Sequence, residues 1–240
     1  NLAGRKNWPK TVYLLNRGGR YEEHAKAFKG KQLAHPFRGM LQLYQEKTAI
    51  SKYSATGVNY PGIAKYVPVT NYAQEDISNL SDGYEFSMIT HRTINQTKSR
   101  TVSSYWLLSL LPENGIIINP DDAKRLQLDK DDQVKVVSAT NKRGEWDFKN
   151  GKTKAMIGKI VPSETMRPGV ISFVLGFGHW AYGAVEVEIN GETIKGDPRR
   201  AQGVHANAAM WTDSSLRHNT CMIDPVGGSV SFYDTKVKLE

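Results

Sequence analysis

Tyr84-Glu85-Phe86-Ser87-Met88-Ile89, directly after the turn signal Ser81-Asp82-Gly83, alternates bulky apolar with polar or small residues and reads as a strand. It opens a series. The β-branched Ile116-Ile117-Ile118, the alternating residues 134–137, and then 155–161, 170–175, 185–189 and 230–239 carry strand composition at short spacings. Between two of these runs, Asn119-Pro120-Asp121-Asp122-Ala123-Lys124-Arg125-Leu126 predicts a short helix. Asn119 suits the N-cap, Pro120 fits the first helical position, and both aspartates favour the positive end of the helix dipole. Residues 144–151 read as a hairpin loop, with Trp146 and Phe148 placed to pair across it. Many short strands with only brief helices predict a closed barrel, which has no free edges.

Residues 1–80 have another character. They hold 12 Lys and Arg against 5 Asp and Glu, whereas residues 81–240 hold 20 against 19, so nearly all of the net charge of +8 lies in the first third. The same third holds 10 of the 23 aromatics, interleaved with cations. Helices are expected near 22–28 and 36–46, and the Gly- and Pro-containing tract 56–72 reads as an extended arm lying on something else. The expectation is an irregular basic arm, 1–80, followed by a barrel, 81–240. A basic segment attracts an anionic partner: nucleic acid, a phosphorylated ligand or an acidic protein surface. Aromatics between cations can stack bases, so a free-standing module binding anions or single-stranded nucleic acid is the alternative, with nucleic acid the less favoured partner.

At 240 residues, 39% of them hydrophobic and 23% charged, the chain suits one globular domain with or without an arm. No run approaches the ~20 apolar residues of a membrane helix, the longest being residues 105–111. One cysteine, Cys221, excludes an internal disulfide framework or a cysteine-built metal cluster within the chain. The opening Asn1 and the lack of an apolar signal core read as a processed chain or a piece of a larger protein.

Three stretches carry candidate chemistry. Thr90-His91-Arg92-Thr93-Ile94-Asn95-Gln96-Thr97-Lys98-Ser99-Arg100-Thr101 leaves the first barrel strand and is almost wholly polar. Arg forks satisfy pyrophosphate oxygens, and hydroxyls and amides pair with ring edges. Leu175-Gly176-Phe177-Gly178-His179-Trp180 combines glycines, which admit close backbone approach, with flat aromatic surfaces, although a bare turn explains the glycines almost as well. Gly203-Val204-His205-Ala206-Asn207-Ala208-Ala209-Met210, followed by Asn219, sets small residues beside His and Asn, though His205 alone reads as a packed or surface histidine. No metal-ligand spacing and no nucleophile motif occurs, so neither metal ligands nor catalytic residues are assigned.

The order of these motifs carries a resemblance. A strand into Thr90-His91-Arg92, then Lys98-Ser99-Arg100-Thr101, Trp106-Leu107, Pro112-Glu113-Asn114, Ile118-Asn119-Pro120-Asp121-Asp122-Ala123, Arg167-Pro168-Gly169-Val170, Asn219 and Asp224-Pro225 resembles the C-terminal molybdopterin-dinucleotide-binding domain of the dimethyl sulfoxide reductase family over residues 84–240. Asn16-Arg17-Gly18-Gly19-Arg20 and Asp224-Pro225-Val226-Gly227-Gly228 look most like tetrathionate reductase catalytic subunits, with thiosulfate or polysulfide and arsenate reductases close. The resemblance implies a six-stranded double-psi β-barrel with short helices that holds molybdopterin guanine dinucleotide, with molybdenum or tungsten bound by an earlier domain and an iron–sulfur cluster in a missing domain. It implies an oxidoreductase reducing a sulfur oxoanion such as tetrathionate, inactive as this piece alone. The implied partners are the missing domains of the same subunit, on which the basic, aromatic-rich arm 1–80 is expected to pack, an iron–sulfur electron-transfer subunit plus a membrane anchor subunit, in the periplasm. Thr90, His91, Arg92, Thr97, Ser99, Arg100 and Thr101 are then expected to hold pterin and pyrophosphate, with the guanidinium groups of Arg92 and Arg100 gripping most strongly, and Gly178, His179, Trp180, His205, Asn207 and Asn219 to surround the second pterin. Cys221 is expected in the core.

Overall fold

A computed structural model describes every residue except 1–3, 17–22, 55, 67, 149–150, 182, 218–219 and 225–228. The chain divides into two compact units, 1–45 and 46–240.

The second unit contains the barrel. Its strands are β1 (Phe86–His91), β2 (Ile116–Ile118), β3 (Gln133–Ser138), β4 (Ile157–Pro162), β5 (Val170–Val174) and β6 (Lys236–Leu239). They close in the order β6-β1-β5-β2-β4-β3. β1 pairs parallel with β5 and β2 parallel with β4, while the remaining four pairings are antiparallel. Advancing every strand by three places maps this pairing pattern onto itself. Two crossed, interlocked halves of this kind make a double-psi barrel.

Alternation sets the inner face. Phe86 and Met88 of β1 are buried, as are Ile116, Ile118, Val134, Val136, Ile160, Ile171, Phe173 and Val237 from the other strands, and together they form one core. The same period of two carries Thr90, also buried, to the end of the strand. Helix α1 (Tyr105–Leu110) follows the polar stretch, and α2 (Pro120–Arg125) begins as its sequence predicts. The Asn119 side chain accepts from the Asp121 amide at 2.8 Å and donates to the Met166 carbonyl at 2.7 Å. Within 144–151, expected as a hairpin loop, Glu145–Asp147 is instead a strand that pairs with Thr153–Ala155 in a hairpin outside the barrel, and Trp146 does not pair with Phe148; it meets His205, and Phe148 meets Trp180. Val187–Ile189 forms a small hairpin with Glu192–Ile194, outside the barrel.

Residues 46–80 belong to the same compact unit as the barrel. Ile77, with Val69 and Leu80, packs on Trp211 and Met222, and the Tyr72 amide donates to Asp213 Oδ2 at 2.6 Å. In the first unit, Gly4–Asn16 is helical despite Pro9, a helix the sequence reading did not anticipate. The helix expected at 22–28 falls partly outside the described residues and shows a 3-10 turn at His24–Ala27. The one expected at 36–46 is absent: only Glu46–Ala49 is helical, because Pro36 and Gly39 break the run and the Phe37 ring folds back over Gly39. Arg17 to Arg20 and Pro225 to Gly228 lie outside the described residues.

Asn114 is 1% exposed and fully engaged. Its amide donates to the Val174 carbonyl at 2.7 Å and the Val204 carbonyl at 3.0 Å, and its oxygen accepts from the Val204 amide at 2.7 Å. Truncation to alanine leaves three buried backbone groups without partners, so Asn114→Ala should cost about 2–4 kcal/mol, against about 1 kcal/mol for loss of the Asn119 cap. Urea denaturation of both variants checks this order.

Candidate functional site

The three candidate stretches converge at one end of the barrel, and glycines make the convergence possible. Gly176 has a φ of +97°, and a Cβ there would lie 2.3 Å from the Lys98 backbone. Gly178 has a φ of +70°, and its Cβ would lie 2.5 Å from the His205 amide. The first glycine therefore backs onto the polar stretch and the second onto the His205 stretch, with the Gly178 amide donating to the Gln202 carbonyl at 2.8 Å. Their role is backbone packing within the chain.

The convergence leaves a cavity of about 820 Å³. Of the residues singled out from sequence, Thr90, Ser99, His179, Trp180, His205 and Asn207 line it. Gly178 lies behind it, bordering a small void with Trp146, Phe148 and Lys154. The others sit off the wall. His91 shares a 2.7 Å hydrogen bond with Ser172 Oγ, and Thr101 Oγ1 donates to Gln96 and accepts from the Thr97 amide, bracing the polar loop. Arg92 and Arg100 are exposed and outside the lining. Asn219 lies outside the described residues.

Also on the wall are Lys98, quoted in the first candidate stretch without a role of its own, and Trp146, Trp211 and Phe232, which sequence reasoning missed. Trp146 was legible: it alternates with Phe148 on one face of a hairpin, and a face with two aromatics needs a partner. Cys221, expected in the core, is half-buried and lines the cavity, while the core position falls to its neighbour Met222.

His205 is the centre of one wall. Its ring meets Trp146 edge-on at 4.2 Å and His179 at 4.9 Å. Burial, then His179 and Lys154 as neighbouring cations, pull the His205 imidazolium down to about 3. His179 is lowered for the same first reason and by Lys154. Lys154 itself, whose ammonium donates to the Ala201 carbonyl, is drawn to about 8 by burial. Both imidazoles are thus neutral near pH 7. Among the described lining residues there is no carboxylate, and Lys98 supplies the one cation at the wall.

Three lining side chains carry a buried polar atom that has no hydrogen-bond partner among the described residues: Thr90 Oγ1, His205 Nδ1 and Trp211 Nε1. Such atoms are rare in folded proteins unless a water or ligand completes them. Neutral donors, flat aromatic faces and a wall free of negative charge fit a polyanionic ligand with heterocyclic rings. That defines the class: a double-psi barrel with a ligand cavity at one end.

Residues 86–222, more than half of the chain, match the family described as the Molydopterin dinucleotide binding domain, and the chain belongs to it. Its cofactor is a molybdopterin dinucleotide, and the resemblance to the dimethyl sulfoxide reductase family holds. The chain is 39% identical over 234 residues to a selenate reductase subunit of Mesobacillus selenatarsenatis, covering 97% of this chain and 22% of that one. It is 29% identical over 192 residues to a tetrathionate reductase subunit of Archaeoglobus fulgidus, covering 75% and 16%. Among solved structures, acetylene hydratase from Pelobacter acetylenicus is similar with a TM-score of 0.48 at 14% identity, covering 75% of this chain and 21% of that one. The chain thus spans about a fifth of the length of these relatives.

Two outcomes follow from the geometry. Gly178→Ala should destabilise the chain by about 2–3 kcal/mol, since it adds both left-handed strain and a backbone clash, and its denaturation midpoint reads this directly. Because the folded His205 titrates well below an unfolded histidine, the unfolded state binds more protons between about pH 3 and 6.5, so stability present above 6.5 is lost as the pH falls. His205→Gln should flatten that acid slope in urea melts taken across the window.

Proposed function

We propose that this chain is the cofactor-holding part of the catalytic subunit of an oxoanion reductase, with molybdopterin guanine dinucleotide held at the cavity where the three stretches meet. The observation that carries this is the wall, which among the described residues has no carboxylate and holds three buried polar atoms without a hydrogen-bond partner. Lys98, Ser99 and Asn207 would give polar contacts, and Trp146, Trp180 and Trp211 flat ones. The bound cofactor supplies two-electron redox chemistry when its molybdenum or tungsten is ligated by another part of the subunit. The residues of this chain bind it, orient it and keep water from its rings.

The substrate class we favour is a selenium oxoanion, supported by the 39% identity to a selenate reductase subunit; tetrathionate, the expectation from sequence, is the second reading, supported by the 29% relative. Each consumes two electrons. Selenate takes two protons and yields selenite and water, whereas tetrathionate loses its central S–S bond and yields two thiosulfates. In this reading electrons arrive through iron–sulfur clusters of the same polypeptide and of a partner subunit, a further subunit holds the assembly at the membrane, and the site of action is the periplasm. The chain alone is inactive.

The full-length subunit, assayed with reduced viologen, should use selenate with a kcat/KM at least tenfold above that for tetrathionate. The reverse ranking supports the sulfur oxoanion, and turnover of neither, in protein with full cofactor content, overturns the oxoanion reading. In the same protein, Lys98→Ala or Asn207→Ala should weaken dinucleotide retention roughly tenfold, the loss of one hydrogen bond to a charged or polar ligand group, as read from the pterin released on denaturation.

A further inference from the structure

Trp146 and Lys154 are directly opposed in the hairpin of Glu145–Asp147 with Thr153–Ala155. Directly opposed residues project from the same face, so the indole and the lysine side chain stand together on the side that meets His205. Behind the cavity lies the small void that Lys154, Trp146 and His205 border. Trp146 and His205 also line the cavity itself, whereas Lys154 does not. One layer of rings therefore stands between Lys154 and the cavity.

The surroundings of this lysine do not account for a charge. Its ammonium donates to the Ala201 carbonyl and makes no ion pair among the described residues. The titratable groups that face it are the imidazoles of His205 and His179, both of which its charge helps to keep neutral. On its own hairpin Glu145 pairs with Arg143, and Glu145 and Asp147 alternate with Trp146 onto the other face. In the turn that carries Ala201, Asp197 is taken up by Arg199 and the Tyr105 hydroxyl. Taking a cation out of water with one carbonyl as partner is unfavourable, and a methionine would fill the same space without that loss. An anion on the far side of the rings compensates it, and the cavity is where one fits: among its described lining residues there is no carboxylate.

We propose that Lys154 holds the anionic dinucleotide through the ring layer: from behind Trp146 and His205 its ammonium attracts the phosphates of the ligand, while its bond to Ala201 keeps the indole against the imidazole that lines the cavity. This rests on the reading of the cavity as the dinucleotide site. Rings in place of water leave the field of the ammonium little screened on that side. Burial draws the ammonium to about 8, so the attraction is present below about pH 8 and is lost as the lysine gives up its proton above it. A bound anion raises that value, and retention falls across the interval between the free and bound values. An arginine in its place stays charged throughout.

The test uses the full-length subunit with its dinucleotide bound, held at a series of pH values, and reads the pterin that stays with the protein after gel filtration. Wild-type retention should fall about tenfold between about pH 7.5 and 9.5, the loss of one charge interaction. Lys154→Arg should remove that fall. Lys154→Met should lie about tenfold below wild type at neutral pH and show no fall of its own. A flat wild-type profile, a fall that persists in Lys154→Met, or wild-type retention by Lys154→Met at neutral pH overturns the proposal. If the arginine protein does not fold, as its thermal midpoint shows, the profile of Lys154→Met decides alone, since a side chain that served packing only would lower retention without changing its pH dependence. Lys98→Ala separates this proposal from the reading it rests on. Lower retention in Lys98→Ala with none lost in Lys154→Met leaves the cavity as the dinucleotide site and removes Lys154 from it, whereas unchanged retention in both overturns the site itself.

Discussion

One buried side chain, Asn114, ties the barrel to everything built on its end. Its amide has two donors and one strong acceptor, and three of its bonds go to backbone groups of two remote segments, the end of β5 and Val204. Val204 is held by both its amide and its carbonyl, and its side chain is buried in the core above Gly158, where a Cβ would meet it at 2.3 Å. Gly203 is required by the same arrangement, since a Cβ there would lie 2.2 Å from Asn114 Oδ1. A buried amide that satisfies this many groups is specific as well as stabilising, because any shift in register strands several of them at once. His205 follows Val204 directly, so the clamp also fixes the imidazole that organises one wall of the cavity.

The glycines complete that logic. Gly176 against Lys98 and Gly178 against His205 bring the three stretches to within backbone contact, which no side chain at those positions would permit. What results is a wall whose described residues include no carboxylate and whose histidines are kept neutral by burial and by Lys154. Electrostatically, such a wall does not repel the phosphates of a dinucleotide, and it offers donors that do not first have to lose a proton.

Strand positions were legible because alternation is a local signal: Phe86-Ser87-Met88 and the Asn119-Pro120 start of α2 announce themselves within a few residues. The barrel's strand order was accessible only through resemblance, since pairings such as Ile116 with Ile160 join residues far apart in sequence. At the site, Thr90, Ser99, His179, Trp180, His205 and Asn207 were legible as residue types near strand ends, and the fold brings them together. Arg92 and Arg100 had the right chemistry for pyrophosphate but stand exposed beside the wall, because the polar loop turns through a 3-10 helix that carries Lys98 and Ser99 to the cavity instead. Trp211 and Cys221 were not legible, since the segment that carries them is placed by packing of Trp211 and Met222 on Ile77, far away in sequence and without a local signature.

The account stands on one claim, that the cavity bounded by the three stretches is where the molybdopterin dinucleotide is held. Amide hydrogen exchange of the full-length subunit, with and without bound dinucleotide, tests it most directly. Protection is predicted over residues 98–99, 175–181 and 205–212, with none over 123–130 on the surface at α2. Protection absent from those three segments, or concentrated elsewhere in this chain, would contradict it.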